Sequence, residues 1–302
     1  MPRDSTLVFG ASGFVGQAVV HELARTSSRL LLTSRTPPSD LPSGVEWFAC
    51  DLLDAEQTAR LVSETRPAQV VDCALARGAA HGIEQRATSD TLTMARNLAS
   101  ALESIGAVHL VHAGSQYEYG DLRGPHVETS HAPTTNTHGR YKRAVREIYE
   151  QAALGAGSRL CVLRIYSVYG PGEPEKRFIP TAIRRALNNE PIETTDDTVS
   201  HDFVFIDDVA AAFSAALETG AEGPFNIGSG VASTNPGVAR EIVRQCQSHS
   251  RIVEGAYPQK ERDRVDWYPD ISRAERELGW SPKVALAQGI ARSIEVVRMN
   301  SL

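Results

Sequence analysis

The stretch TLVFGASGFVGQAVV, residues 6–20, decides the fold. A short apolar run leads into three glycines, Gly10, Gly13 and Gly16, and apolar residues at helical spacing follow them. In a strand–turn–helix unit with this spacing, the first glycine allows the tight turn and the second lets backbone approach a pyrophosphate. The third lets the helix pack close to the strand. Because the helix N-terminus also offers unpaired N–H groups to phosphates, the stretch predicts a dinucleotide-binding site.

The end of the second apolar run indicates which dinucleotide is bound. Residues 30–32 are followed by Thr33, Ser34 and Arg35, with no acidic residue. An acid there would hold the ribose 2′-hydroxyl of NAD, whereas Arg accommodates the 2′-phosphate of NADP. Guanidinium pairs with phosphate through two parallel hydrogen bonds, and a neighbouring hydroxyl suits the same group. We therefore expect NADP(H); the alternative is that Arg35 is an ordinary solvated loop residue.

The composition is that of a soluble globular protein. Of the 302 residues, 41% are hydrophobic and 23% are charged, and the net charge is −6. An acidic balance without a basic cluster argues against nucleic acid or an anionic membrane as a partner. No apolar run approaches the ~18 residues of a membrane span, and residues 1–4 lack the apolar core of a signal peptide. These features predict a cytoplasmic protein.

Cysteine and histidine positions give no sign of a metal or a disulfide framework. The four cysteines are far apart in apolar contexts and are interpreted as buried thiols: Cys50, Cys73, Cys161 and Cys246. Three histidines, His112, His126 and His131, lack ligand spacing and are interpreted as solvated loop residues. We therefore expect no metal site.

Apolar runs typical of buried parallel strands alternate with helical stretches through the first half of the chain. We expect strands at 7–9, 30–32, 45–50, 69–73, 108–112 and 160–165, with helices at 55–64 and 91–105. Such runs need helices on both sheet faces, so they predict a doubly wound parallel α/β sheet of the Rossmann type. The expected domains are a dinucleotide-binding domain at 1–170, to which 201–230 returns, and a smaller mixed α/β substrate lobe at 171–200 and 231–302.

Several ordered motifs resemble the extended short-chain dehydrogenase/reductase family, the NAD-dependent epimerase/dehydratase type, along the whole chain. Besides the glycine spacing they are Asp51-Leu52, the segment 112–120 around Ser115, Arg164, and the segments 168–172, 202–209, 225–228 and 278–282. Together with the glycine turn, the resemblance implies cofactor contacts at Gly10, Ser12, Gly13, Phe14, Val15, Gly16, Ser34, Arg35, Asp51, Leu52, Ala74, Leu75, Lys142, Tyr166 and Val168.

The segment 138–145 departs from the family pattern. Family members carry a Tyr four residues before a Lys on one helix, and the phenol exchanges a proton with the substrate oxygen. Lys142 matches that Lys, but His138 stands where the Tyr is expected. Positions 138 and 142 share a helix face, whereas Tyr141 lies about 60° from His138 and would reach only the pocket edge.

Four residues are therefore candidates for catalysis: Ser115, His138, Tyr141 and Lys142. The resemblance implies that Ser115 hydrogen-bonds the substrate carbonyl and that Lys142 holds the nicotinamide ribose. His138 has an ordinary pKa near working pH, although it is shorter than Tyr and Lys142 nearby would disfavour its charged form. The proton source stays open among His138, water and an acidic substrate hydroxyl, and the alternative for His138 is a capping or packing role.

One residue of the substrate lobe differs from the residue that nucleotide-sugar enzymes of the family use to bind their substrate. Their diphosphate is typically clamped by Arg, but His201 stands before Asp202, and the second clamp aligns with Lys260 or Arg262. Losing an Arg removes a permanent bidentate phosphate partner. This favours a neutral ketone, lined by aromatics among Tyr117, Tyr119, Tyr166, Phe178 and Trp267.

We therefore expect an NADPH-dependent ketoreductase acting on a multicyclic natural product such as an aromatic polyketide, as in antibiotic biosynthesis; known angucyclinone-type ketoreductases without the Tyr are an analogy. One alternative is a nucleotide-sugar epimerase, dehydratase or 4-ketoreductase. The other is a non-catalytic NADP(H)-binding regulator. Homodimers are common in this family, and a small-molecule ketone is the expected partner.

Overall fold

The computed structural model describes residues 5–38, 40–76, 85–122, 124–134, 136–256 and 266–300. Its centre is a seven-stranded sheet in which all neighbouring strands are parallel, in the order β3-β2-β1-β4-β5-β6-β10. The strands are β1 (Ser5–Phe9), β2 (Arg29–Ser34), β3 (Glu46–Ala49), β4 (Gln69–Asp72), β5 (His109–Ser115), β6 (Arg159–Ile165) and β10 (Gly223–Ile227). The predicted doubly wound sheet is confirmed. Strand β10 was not among the predicted apolar runs, because Gly223 and Pro224 open it.

Helices cover both faces of this sheet, as the apolar strands require. Helices α2 (Ala55–Thr65), α3 (Gln85–Ile105) and α4 (Thr137–Ala156) pack side by side on one face, and α1 (Phe14–Leu23) packs with α6 (Ile206–Thr219) on the other. Successive residues of β1 alternate between the two cores: Leu7 and Phe9 join the α2–α4 side, and Val8 joins the α1–α6 side. None of the helices in the described ranges combines the length and apolarity that a membrane crossing requires.

The second half of the chain adds two small sheets and more helices. Strands β7 (Ser167–Tyr169), β9 (Ser200–Phe205) and β11 (Ala232–Thr234) form one sheet, and β8 (Ile192–Glu193) pairs with β12 (Ile252–Val253). Helices α5 (Phe178–Leu187), α7 (Asn235–Cys246) and α9 (Leu286–Asn300) pack against one another, whereas α8 (Ser272–Glu277) lies against β10. This part borders the sheet at the carboxyl ends of β6 and β10.

A buried polar centre at Asn226 joins the two halves. Its side-chain N–H groups donate to the carbonyls of His126 at 2.8 Å and Asp270 at 2.9 Å. Its side-chain oxygen accepts from the hydroxyl of Tyr119 at 2.6 Å, and its backbone N–H donates to Glu128 at 3.0 Å. Because every polar group of this fully buried side chain is satisfied, the centre can fix three chain segments without an unpaired-group penalty.

Substitution at Gly16 tests the close packing of α1 on β1. A Cβ there would collide with the carbonyl oxygen of Gly10, so Gly16→Ala should lower the free energy of unfolding by about 1–3 kcal/mol. The measurement is urea denaturation followed by circular dichroism. Gly155 is the matched control: it is an exposed helical glycine whose Cβ would lie 3.7 Å from the nearest atom. Gly155→Ala should be neutral or stabilising; equal losses at both sites would contradict the packing argument.

Candidate active site

The glycine turn has the geometry that the sequence predicts. Gly10 has φ +74°, and a Cβ there would lie 2.5 Å from the backbone nitrogen of Ala74. The N–H of Gly13 donates to the carbonyl of Gly10 at 3.0 Å, and Gly13 caps α1 without a side-chain hydrogen bond. Side chains are thus excluded where backbone must meet a ligand, and the first turn of α1 keeps its N–H groups for an anion. The turn therefore fits a dinucleotide pyrophosphate.

A cleft opens beside this turn at the carboxyl ends of β1, β2 and β4. Eight of the predicted cofactor residues line it: Gly10, Ser12, Ser34, Arg35, Asp51, Leu52, Ala74 and Leu75. Seven further lining residues were not predicted: Phe9, Thr33, Cys50, Leu53, Ala76, Asp90 and Met94. Asp90 and Met94 belong to α3, which is distant in sequence from the glycine turn and reaches the cleft only through the packing of the fold. No local sequence pattern predicts these two residues as lining.

The edge of the cleft at the end of β2 carries an exposed cation. Arg35 is exposed and makes no hydrogen bond or ion pair within the described ranges. The hydroxyl of Ser34 is already engaged, because it donates to the carbonyl of Thr36 at 2.6 Å and accepts from the indole N–H of Trp47 at 3.0 Å. If Ser34 also bound the 2′-phosphate, that bond would compete with these two. The expectation of NADP(H) therefore depends on Arg35 rather than on Ser34.

Ser115 is held at the carboxyl end of β5 by the short 3₁₀ helix 116–119 that follows it. Its hydroxyl accepts from the N–H of Tyr117 at 3.3 Å, and its own N–H donates to a carboxylate oxygen of Glu118 at 2.8 Å. Glu118 is buried and lies 3.4 Å from the guanidinium of Arg164 and 3.5 Å from that of Arg146. A hydroxyl that accepts one bond still has a proton to donate, so Ser115 can hydrogen-bond a substrate oxygen.

The first turn of α4 places His138 against the 3₁₀ helix. The side chain of Asn136 caps α4 by accepting from the N–H of His138 at 2.8 Å. A Cβ on Gly139 would collide with the carbonyl oxygen of Tyr117, so this glycine permits the close approach. The rings of Tyr117 and His138 meet edge to face at 5.3 Å. His138 is therefore held beside the segment that begins with Ser115.

Tyr141 lies in the interior rather than at the pocket edge. Its ring is 2% exposed and packs with Ala87, Leu75 and Ala76. Its hydroxyl oxygen lies 2.9 Å from Nδ1 of His138. The expected approach of Tyr141 to the pocket is thus corrected: the backbone turn of about 100° per residue directs the ring into the core, and the hydroxyl meets His138 instead of solvent.

Lys142 is buried under the same turn. Its ammonium donates to the carbonyl of Ala113, two residues before Ser115, at 2.7 Å. Burial lowers the pKa of Lys142, and the nearby negative charges of Asp72 and Glu118 oppose that shift. The lysine therefore ties α4 to the end of β5.

A buried cluster behind Lys142 corrects the interpretation of one histidine. His112 is 1% exposed in β5, and its Nδ1 lies 2.9 Å from a carboxylate oxygen of Asp72. The hydroxyl of Tyr149 donates to the same oxygen at 2.8 Å. Burial is the largest influence and would raise the pKa of Asp72, but the interactions with His112 and the hydrogen bonds from Ala74 and Tyr149 together outweigh it, so the pKa is lowered. The other oxygen accepts from the N–H of Ala74 at 2.9 Å, which fixes the cleft wall.

A second histidine expected in solvent is also buried. Nδ1 of His126 lies 3.0 Å from the hydroxyl of Tyr166, and the ring of Tyr166 is 3% exposed. Tyr166 was predicted to contact the cofactor, but its side chain belongs to this interior cluster and does not line the cleft. His131, by contrast, is exposed as expected. Within the described ranges no group of three or more acidic, histidine or cysteine side chains could hold a metal ion.

The loop after β7 reaches the start of α1. A Cβ on Gly172 would lie 3.7 Å from the ring of Phe14, so the segment 168–172 borders the glycine turn. The next residue, Glu173, is a buried acid 3.1 Å from the guanidinium of Arg177. Burial raises the pKa of Glu173 to about 7, although Arg177 opposes the shift. A titratable carboxyl thus lies one residue beyond this loop.

The aromatic residues that were predicted to line the substrate pocket are found partly near the site and partly in the core. The ring of Tyr117 lies 5.3 Å from that of His138 and 4.9 Å from that of Trp267, but Trp267 is 1% exposed and belongs to the core. Tyr119 is fully buried, and Phe178 lies 6.4 Å from Phe203 in the other lobe. Lys260 and Arg262 lie outside the described residues.

A pocket in the second half of the chain was not predicted from the sequence. It lies between α5, β8 and α7, and its lining includes Lys176, Arg185, Glu193, Thr194 and Asn235. Its walls come from three elements separated by up to 60 residues, so no local sequence pattern predicts it. The guanidinium of Arg185 lies 3.4 Å from the carboxylate of Glu193, so the charges of these two side chains offset each other.

Comparison with known proteins identifies the family. The model of the NAD dependent epimerase/dehydratase family matches residues 6–228, and this chain belongs to that family. The chain is 26% identical to a dTDP-6-deoxy-L-talose 4-dehydrogenase (NAD(P)(+)) of Kitasatospora kifunensis, with 94% of this chain and 92% of the relative covered. It is 25% identical to the dTDP-4-dehydro-6-deoxyglucose reductase of Escherichia coli, with 98% of each chain covered.

A solved structure supports the same fold. The crystal structure of a UDP-glucose 4-epimerase with UDP-glucose from Thermotoga maritima superposes with a TM-score of 0.90 at 24% identity, covering 99% of this chain and 100% of that one. The relatives are oxidoreductases and epimerases of sugar nucleotides, and none of those compared above is a polyketide reductase. They therefore favour the nucleotide-sugar alternative of the sequence analysis over the polyketide expectation.

Titration of Glu173 should make stability fall as the pH rises. The folded-state pKa of about 7 exceeds the ordinary value, so the folded protein binds the extra proton between about pH 4.5 and 7. The contribution of Glu173 to the free energy of unfolding is therefore fully present below about pH 4.5 and is lost as the pH rises to about 7 and above. Relative to Glu173→Gln, the wild type should lose about 1–3 kcal/mol between pH 5 and pH 8, measured by urea unfolding.

The neighbouring acid supplies the control for this measurement. Glu175 has a side chain that is 87% exposed and pairs with Arg184, so Glu175→Gln should keep the wild-type pH dependence. A Glu173→Gln protein whose stability follows the wild-type pH curve would show that Glu173 is ionised throughout.

Proposed function

We propose that this protein is an NADP(H)-dependent oxidoreductase that interconverts a ketone and an alcohol on the sugar ring of a nucleoside-diphosphate sugar. The proposal is carried by one observation: Ser115 and His138 both contact Tyr117 at the end of β5, and Lys142 ties α4 to that strand. The nucleotide-sugar class is supported by relatives that match over almost the whole chain and are named as a 4-dehydrogenase and a reductase of such sugars.

The residues of the cleft suit a nicotinamide dinucleotide. The turn from Gly10 to Gly16 would hold the pyrophosphate, Asp51 and Leu52 the adenosine, and Arg35 a 2′-phosphate. Lys142 lies where an ammonium can meet the ribose hydroxyls at the end of β5. When bound, the dinucleotide supplies or accepts a hydride. The preference for NADP(H) depends on Arg35, because no acid takes its place.

Two side chains of this protein would act on the substrate oxygen: one would hydrogen-bond it and the other would exchange a proton with it. Ser115 donates a hydrogen bond to the substrate oxygen and stabilises the negative charge that develops there. In the direction of reduction His138, as the imidazolium, gives a proton to that oxygen; in the direction of oxidation it takes the proton back. The ring of Tyr117, which packs against His138, would offer an apolar face against which a sugar ring can lie.

The pocket beside α5 is a candidate for the nucleotide part of the substrate. Lys176, Arg185 and Glu193 line it; Arg185 is paired with Glu193 at 3.4 Å, so Lys176 is the cation that would meet a diphosphate. His201 replaces one expected arginine, and its ring lies 6.2 Å from that of Phe203. Lys176 would thus compensate in part for the missing guanidinium.

A second candidate, reduction of a multicyclic ketone such as an aromatic polyketide, is favoured by that same replacement. His201 offers no permanent charge, so it suits a neutral substrate as well as a phosphorylated one. The two candidates differ in whether a nucleoside diphosphate is bound.

The test is consumption of NADPH with dTDP-4-dehydro-6-deoxyglucose, its UDP counterpart and a polycyclic aromatic ketone. We expect turnover of a nucleotide-linked ketone, and competitive inhibition by the free nucleoside diphosphate. His138→Phe should lower the rate of reduction at pH 7 by about 10²–10⁴-fold with the Kd for NADPH unchanged. Turnover of the polycyclic ketone alone would favour the second candidate, and full activity of His138→Phe would assign the proton to water or substrate.

Cofactor choice is tested at Arg35. Arg35→Ser should raise the Kd for NADP⁺ by about 10–100-fold, since a charge-assisted bond contributes roughly 1.5–3 kcal/mol, and leave the Kd for NAD⁺ within twofold. Isothermal titration calorimetry measures both. Arg25→Ser is the control, because Arg25 is 77% exposed and pairs with Glu22. Equal weakening of both dinucleotides at Arg35→Ser would contradict a 2′-phosphate role.

A further inference from the structure

The replacement of the family's Tyr by His138 is accompanied by a buried phenol three residues later. Oη of Tyr141 lies 2.9 Å from Nδ1 of His138, and the two ring centroids are 4.8 Å apart at 60°. Residues three apart on a helix are neighbours, so this contact is built into the first turn of α4. The phenol therefore bonds the nitrogen nearer the helix axis.

Tyr141 is rigidly placed to make this contact. Its ring is 2% exposed and is packed by Ala87, Leu75 and Ala76. Burial raises the pKa of Tyr141, so it stays a neutral phenol at working pH. A hydroxyl can donate and accept, and the bond to Nδ1 can therefore persist whether the imidazole is charged or neutral.

We propose that Tyr141 is a positioning residue for His138: its hydroxyl occupies Nδ1, so that Nε2 is the nitrogen that exchanges a proton with the substrate oxygen. The inference rests on the proposed function for its catalytic meaning, but the contact itself is independent of the substrate. A third group that orients a histidine through its other nitrogen is a general device in acid–base catalysis.

The proton balance of the step is simple. In reduction, the Nε2–H bond of the imidazolium breaks and an O–H bond forms on the substrate, whose carbonyl carbon has received the hydride. The proton on Nδ1 stays in place and donates to Oη of Tyr141. The phenol keeps its own proton throughout, so no buried tyrosinate forms. Oxidation runs through the same atoms in reverse.

Among the described residues, the charged and titratable groups around His138 include members of the 3₁₀ helix and of α4. Tyr117 faces its ring from the 3₁₀ helix, and Tyr141 and Lys142 belong to α4. The ammonium of Lys142 is engaged with the carbonyl of Ala113, and the exposed Arg140 bonds Thr137 at 3.1 Å. Among these, Tyr141 is the group bonded to Nδ1, so its hydroxyl should stabilise the imidazolium that the reduction step uses.

The test compares the wild type with Tyr141→Phe, which removes the hydroxyl but keeps the packed ring. We expect the pKa of His138 to fall by about one unit in the variant, because the bond that Nδ1–H donates to the phenol is stronger from the imidazolium than from the neutral ring, and that difference is lost. Nuclear magnetic resonance titration of ¹⁵N-histidine-labelled protein measures this, with the His138 signals assigned by their loss in His138→Gln. Tyr169→Phe is the control: it removes the hydroxyl of a tyrosine that is 1% exposed and bonds the carbonyl of Leu286.

The rates give a second, independent readout. With a reducible ketone at saturation, kcat of Tyr141→Phe should be lowered up to about tenfold at pH 8 and by a smaller factor at pH 6, with KM little changed, since the acid form is depleted mainly at high pH. A merely structural tyrosine would lower kcat equally at both pH values, as Tyr169→Phe is expected to do if it lowers kcat at all.

The outcomes separate this inference from the proposed function. An unchanged His138 titration in a folded Tyr141→Phe protein would overturn the positioning role, whatever substrate is used. A shifted titration together with no turnover of any nucleotide-linked sugar would keep the Tyr141–His138 contact and overturn the proposed substrate class. If Tyr141→Phe folds poorly, titration of the wild type decides: His138 signals that match those of a solvent-exposed histidine would exclude the bond to Tyr141.

Discussion

The close approach of backbone to backbone at Gly10 is the constraint on which the rest of the structure depends. Its carbonyl accepts from Gly13 at 3.0 Å and lies where a Cβ of Gly16 would stand, while its own Cα faces the backbone of Ala74 at the end of β4. Three segments can meet only if none carries a side chain there. That contact sets the position of α1 over β1 and opens the cleft between the ends of β1, β2 and β4.

A second contact of the same kind couples the sheet to the catalytic candidates. Gly139 lets α4 lie against the carbonyl of Tyr117, and Lys142 bonds the carbonyl of Ala113 on the strand below. Glu118 fixes the N–H of Ser115 while it is itself held by Arg164. Ser115 and His138 are far apart in the chain, yet both contact Tyr117: the Ser115 hydroxyl accepts from its N–H, and the His138 ring packs against its ring. Their relative placement is thus a property of the β5–α4 junction rather than of flexible side chains.

The strands and the glycine turn were predictable from the sequence because their signals are local. Continuous apolar runs identified six strands of the central sheet, and the spacing of Gly10, Gly13 and Gly16 identified the helix that meets the phosphates. The lining contributed by α3 was not predictable, since Asp90 and Met94 reach the cleft through packing of distant segments. The buried state of His112 and His126 was missed for a related reason. A polar residue is expected in solvent unless its partners are known, and those partners, Asp72 and Tyr166, lie 40 positions away.

The direction of Tyr141 shows how a helix can change its chemistry without changing its fold. Sequence geometry placed this residue about 60° from His138, which left open whether it faces the pocket or the core. The apolar surroundings of Ala87, Leu75 and Ala76 decide for the core, because a phenol ring gains more from burial than from a partly wet edge. The hydroxyl then needs a partner in the interior, and Nδ1 of His138 supplies one at 2.9 Å. The packing of one aromatic ring therefore also fixes the orientation of the His138 imidazole.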